Sequence, residues 1–228
     1  PGSRIRRQHR LVHRVTARLP APPPTAELRT LGIRDDEYRV VSTAESWWRV
    51  HRTSGDHVLA WNAFREHGPL LRFDPQPLPA RHYDGVGVWY GASGPTAALA
   101  EAFQAERTID RFRGDPYLTG LRFTRELRLL DLAADSDGAW PTRAGGTFAL
   151  STAPHSITQR WARRITEAFP DLDGLRYNSR FAGEPCVALF MPATEAMPPR
   201  PVLSLPLTHP GLALRIAKAA QRLGYLVV

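Results

Sequence analysis

The sequence is poor in the residues that most often announce a function. Its 228 residues hold one cysteine, Cys186, which leaves no internal disulfide and no cysteine spacing for a metal. That fits a reducing compartment. No apolar run approaches the roughly 18 residues of a membrane helix, and the first residues lack a signal-peptide pattern. The expectation is a cytoplasmic protein with no membrane segment. Histidines stand at 9, 13, 51, 57, 67, 82, 155 and 209, without HExxH or another close pair, so no metal site is expected. No GxGxxG or GxxxxGK[ST] occurs in a strand-to-helix context. Ser151 and Ser156 lie outside any GxSxG elbow, so a hydrolase triad has no support.

Lysine is scarce too, occurring once at Lys218, so arginine carries nearly all of the basic charge. Six arginines (Arg4, Arg6, Arg7, Arg10, Arg14, Arg18) fall within residues 1–19, which hold no acid, and they account for most of the net +8. Such an arm can hold phosphates, contact an acidic partner or stay solvated. Direct nucleic-acid binding is the least favoured of these. An intermittent apolar pattern gives residues 4–19 the reading of a short basic helix, and Ala21-Pro22-Pro23-Pro24 that of a stiff spacer. The chain therefore divides into a basic arm with a proline-rich linker, 1–35, and one domain, 36–228.

Within the domain, Trp47–Arg52 reads as a strand, with Arg49 and His51 facing away from Trp48 and Val50. The stretch Gly85–Ala105 is the most informative. Val86–Tyr90 is β-branched and aromatic, a buried strand. Gly91–Thr96 is turn chemistry with a cap at Ser93 or Thr96 and a proline for the first helical turn. Thr96–Phe103 is a helix of good formers carrying a lone acid, Glu101. Two strands are expected in 118–132, an amphipathic helix over 158–165, a strand over 187–191, a helix over 212–223 and a last strand over 225–228. Many short strands with scattered helices predict an α+β fold.

Four pieces stand in one order: WRV with Arg49, LLRFDP with Arg72, VWYGASGPTAALAE with Tyr90 and Glu101, and DGLRYNSR with Ser179. Together they resemble the RES domain, named for its arginine, glutamate and serine, over about Trp48 to Met191. The family's usual glycine-arginine-tryptophan step is Leu71-Arg72-Phe73 here, and Arg49 is the reserve arginine. The resemblance implies an ADP-ribosyltransferase-like fold, a split pair of small sheets around an NAD⁺ cleft. It implies a toxin that depletes NAD⁺ by cleaving the nicotinamide–ribose bond, with water or phosphate as acceptor, and that is neutralised by an Xre-type helix-turn-helix antitoxin. Glu101 would stabilise the developing cation and hold the ribose, Tyr90 would stack on nicotinamide, and Arg72 would fork onto the diphosphate. Ser179 would bond near the ribose. No metal or resident cofactor is implied, and self-association to a homodimer stays open. The alternative is an ADP-ribosyltransferase acting on a protein or nucleic acid. Leu99 stands where arginine-directed transferases carry a second acid.

Overall fold

The computed structural model describes residues 19–56 and 58–228. Most of the arginine-rich arm, with its expected helix, therefore lies outside the described residues. In chain order the elements begin with α1 (Thr25–Leu31), β1 (Tyr38–Val41), β2 (Trp47–Arg52), β3 (His67–Gly68), β4 (Arg81–His82) and β5 (Trp89–Ala92). Then follow α2 (Pro95–Ala102), β6 (Thr108–Ile109), β7 (Pro116–Leu121), β8 (Leu127–Asp131), α3 (Trp140–Arg143) and α4 (His155–Ala168). The chain closes with β9 (Gly174–Asn178), β10 (Pro185–Leu189), β11 (Leu203–Pro206), α5 (Ala213–Leu223) and β12 (Leu226–Val227). This is the α+β class that the short strands predict.

Eight strands form one mixed sheet in the order β1-β8-β9-β10-β5-β2-β7-β11. Within it β8 and β9 run parallel and every other pair is antiparallel. Pairing is extended on both sides of one weak joint. β2 is matched to β7 from Trp47↔Leu121 to Arg52↔Pro116, and β5 to β10 from Trp89↔Leu189 to Ala92↔Cys186. Between β2 and β5 the only matched pair is Trp48↔Ala92. The expected split pair of sheets is thus five strands and three strands hinged at one residue pair.

Alternation along the strands sends side chains to two cores. On one face Leu130, Leu175, Tyr177, Cys186 and Ala188 meet the buried stripes of α2, α4 and α5. On the other, Trp47, Trp89, Leu121, Leu129, Val187 and Leu189 are covered by loops carrying Trp61 and Phe64 and by the 3₁₀ segment Met191–Ala196. The boundary read at residue 36 falls inside the folded body. Leu28 of α1 is fully buried in the helix-side core, and the Trp161 indole N–H donates to Pro20 O at 3.1 Å.

β5 begins three residues later than the sequence pattern suggests and runs through Gly91 to Ala92. Ahead of it Val88 makes only an isolated bridge with Arg65, and the Val86 carbonyl is taken by the Gln76 side chain at 2.6 Å. Neither Ser93 nor Thr96 caps α2. Its N-cap is Gly94, with Pro95 in the first turn as expected.

His51, 9% exposed, bonds the Thr119 hydroxyl through Nε2 at 3.0 Å, while among the described residues its Nδ1 has no partner of hydrogen-bonding geometry. Burial, and then the Arg49 guanidinium, hold its pKa down to about 4.

Two outcomes follow for stability. Leu28→Ala should destabilise the domain by about 2–5 kcal/mol in a denaturant titration, because α1 is part of the core. Between pH 6.5 and 4 the unfolded chain takes up a proton at residue 51 that the native state refuses, so stability falls as pH falls. Above pH 6.5 this contribution is fully present. His51→Gln should flatten that limb by about one proton's slope.

Candidate active site

The hinge between the half-sheets opens a cavity of about 190 Å³ on the helix side. Trp48, Val50, Tyr90, Gly91 and Ala92 line it from β2 and β5, and Ala98, Glu101 and Ala102 from α2. Arg72 and His155 supply its polar wall with Tyr177 beside them. Arg65, Arg49 and Gln104 complete the polar lining.

Glu101 is the only carboxylate among these lining residues. It is the penultimate residue of α2, whose preceding residues Ala97 to Ala100 are buried. Small residues bring that helix close to the sheet, so the acid projects into the cavity. Ser179, 4% exposed and just past β9, donates to Glu101 Oε1 at 2.6 Å. The same hydroxyl accepts from Phe181 N–H (3.2 Å) and Ala182 N–H (3.1 Å). Its one proton is committed to Glu101, and two backbone donors aim it. Ser179 therefore orients the acid.

Tyr90 projects from β5 on the same face. Its hydroxyl donates to Asp74 Oδ1 at 2.8 Å and accepts from Phe73 N–H at 3.0 Å. Burial first, then the Asp74 charge, push its pKa well above that of a free phenol. The ring face is what remains for the cavity. Tyr177 is buried beside it and packs on Phe73 with ring centroids 4.9 Å apart.

Arg72, 9% exposed, lies in the turn that follows β3. Its guanidinium donates to Ala153 O, and its own carbonyl accepts from the Thr158 hydroxyl of α4. Burial, then Arg180, lower its pKa, while Tyr177, Glu101 and Tyr90 act the other way. Burial and Arg72 together lower the pKa of His155 at the start of α4. Among the described residues neither Arg72 nor Glu101 takes part in an ion pair. These two charges rest on neutral partners.

The structure thus brings Arg72, Tyr90, Glu101 and Ser179 together. Arg49 it places differently. Its guanidinium donates to Ala63 O (3.2 Å) and Trp61 O (3.4 Å) and lies 5.5 Å from the Trp89 ring centroid, packed toward the loop-side core. Burial, then Arg65, lower its pKa to about 10. Arg49 touches the cavity at the hinge and is held by the loop behind it.

Asp74, Arg65, Tyr177 and His155 were not singled out from the sequence. Asp74 reads there as half of an Asp-Pro turn signal, and Tyr177 as one residue of a short strand. Only the fold shows their convergence. One group of metal-capable side chains occurs among the described residues, Glu66, His82 and Asp84, with ligand atoms within 4.8 Å of one another. It lies at the exposed β3–β4 ribbon, and none of the three lines the cavity. His82 Nε2 already bonds Asp84 at 2.8 Å, and Glu66 accepts from Gly85 N–H at 2.8 Å.

Gly91 lies beneath the Trp89 ring on the loop side of β5. A Cβ there would sit 2.3 Å from the ring of Trp89, which is fully buried and has no room to swing. Gly91→Ala should lower stability by roughly 1–3 kcal/mol through overpacking, read as a shift in the denaturant midpoint.

The chain was compared with known proteins. No curated protein matches it in sequence. Among solved structures, that of the M. tuberculosis MbcT–MbcA toxin–antitoxin complex contains a chain with a TM-score of 0.49 and 18% identity, covering 78% of this chain and 92% of that one. The family model described as the RES domain matches residues 46–208. That segment runs from just before β2 to just beyond β11 and contains Arg72, Tyr90, Glu101 and Ser179. The chain belongs to the RES domain family.

Proposed function

We propose that this chain is a toxin that consumes NAD⁺ by breaking the bond between nicotinamide and ribose. It acts in the bacterial cytoplasm, passes the ribosyl carbon to water or phosphate, and is neutralised by an Xre-type helix-turn-helix antitoxin. The observation that carries this reading is Glu101. It is a single carboxylate oriented by Ser179, in a cavity whose other charged or titratable lining residues are Arg49, Arg65, Arg72, His155, Tyr90 and Tyr177.

The chemistry asks for little else. When the glycosidic bond breaks, its electron pair stays with the ring nitrogen and neutral nicotinamide departs. Positive charge then spreads over the ribose C1 and ring oxygen. A fixed carboxylate next to that centre stabilises the charge as it develops, in a site that water reaches poorly. Tyr90 offers a ring face for the nicotinamide. Arg72, with no carboxylate of its own, is free to fork onto a diphosphate oxygen. The cavity is smaller than the roughly 300–1,000 Å³ usual for a whole ligand. It suits the nicotinamide–ribose end, leaving the adenosine end along the surface beyond Arg72. Transfer to a protein arginine is disfavoured, because Leu99, two residues before Glu101, is fully buried and apolar.

Purified protein, freed of any antitoxin, should release nicotinamide from NAD⁺. Glu101→Gln should slow that release by about 10²–10³-fold while keeping the fold. Assays with and without inorganic phosphate name the acceptor, through ADP-ribose or its 1″-phosphate. Intact NAD⁺ after incubation with folded wild-type protein under both conditions would overturn the reading.

A further inference from the structure

The turn that carries Arg72 is built around one buried carboxylate. Asp74 is 0% exposed, and both of its oxygens accept from Arg65 Nη2, at 2.7 and 2.8 Å. Oδ2 also accepts from the backbone N–H groups of Leu70 and Leu71, the latter at 2.8 Å, and Oδ1 from the Tyr90 hydroxyl. Asp74 N–H returns to Leu71 O at 3.3 Å and closes the turn. Donors from three segments converge here: residue 65, which bridges to Val88; the 70–74 turn; and β5. A buried carboxylate satisfied in this way is a stiff anchor, since each charge-assisted bond is short and directional.

What it anchors is the cleft. Arg72 sits inside the turn whose two preceding N–H groups end on Asp74. Tyr90 gives its only proton to the same carboxylate, so the hydroxyl has none to donate to a substrate. We propose that Asp74 is the positioning residue of this site, acting through Tyr90 and Arg72 to hold ring face and guanidinium in one register opposite Glu101. Its kinetic consequences rest on the NAD⁺ reading given above; its effect on Tyr90 does not.

The test is a double-mutant cycle with Asp74→Asn and Tyr90→Phe, read as nicotinamide release well below the melting temperature of every variant. Asparagine keeps the shape but cannot accept from Arg65 and two backbone donors at once. D74N should lower kcat/KM by about 10²-fold, the scale of a displacement of about 1 Å, mostly as a raised KM because both dependents bind substrate. Y90F keeps the ring, loses its tether and should cost about tenfold in KM. Because they share one bond, the double variant should be no worse than D74N within about threefold. A purely structural Asp74 would lower the melting temperature and leave KM unchanged; that result, or additive losses, overturns the proposal. Tyrosine labelled with ¹³C at Cζ supplies a readout independent of turnover. The Tyr90 resonance, identified by its loss in Y90F, should move in D74N. If it moves while wild type leaves NAD⁺ intact, the anchor stands and the NAD⁺ reading falls. If it stays put, the anchor falls. Should D74N not fold, a wild-type KM in Y90F overturns the proposal by itself.

Discussion

The joint between β2 and β5 is the constraint on which the rest of the molecule depends. A sheet gains its stiffness from continuous ladders, and backbone groups left over at a break must find other partners. Here the ladder shrinks to Trp48↔Ala92 while both flanking ladders stay long. The loop after β2 fills the break on one side: the Trp89 indole donates to Trp61 O at 2.7 Å, Arg49 donates to Trp61 O and Ala63 O, and Arg65 pairs with Val88. On the other side α2 lies across the gap, and the unfilled remainder is the cavity. The candidate active site is thus a defect in a sheet, kept open because each edge is satisfied elsewhere.

Charge is distributed with the same selectivity. Among the described residues every buried acid outside the cleft meets an arginine: Glu37 has Arg143 at 2.6 Å, Asp173 has Arg125 at 2.7 Å, Asp74 has Arg65 at 2.7 Å, and Asp131 has Arg176 at 3.2 Å, which it shares with Asp135. Inside the cleft the rule is suspended. Glu101 bonds a serine hydroxyl and Arg72 a backbone carbonyl. A preformed ion pair between them would have to be broken before either could meet a charged substrate. Held apart on neutral partners, both remain available to a charged ligand.

Periodicity and composition made the elements legible, because burial of a face is a local property of the chain. β2, β7, β8, α4 and α5 lie where their apolar patterns put them, β10 is shifted two residues toward the N-terminus of the expected 187–191, and α4 extends three residues past its expected span at each end. β5 was misplaced for an instructive reason. Gly91 looks like turn punctuation, yet it continues the strand, because the ring of Trp89 lies across it. Tyr90 and Glu101 meet in one cleft because strand, tight turn and short helix leave little freedom between them. Asp74 could not be found that way. Its donors are spread from residue 65 to residue 90, and nothing in an Asp-Pro dipeptide reveals that five hydrogen bonds will meet there. Arg49, read as a reserve for Arg72, shows the converse: its alternation was right, and alternation turns it away from Glu101.

The segment shared with the family ends at residue 208, and the polypeptide continues into α5 and β12. Ile216, Ala219 and Ala220 of α5 belong to the same apolar cluster as Ala97 and Leu99 of α2, and β12 pairs in parallel with β6 just after that helix. Part of the backing of the Glu101 helix is therefore supplied by sequence outside the matched segment. The unit that the family model matches is thus smaller than the unit that packs as one core.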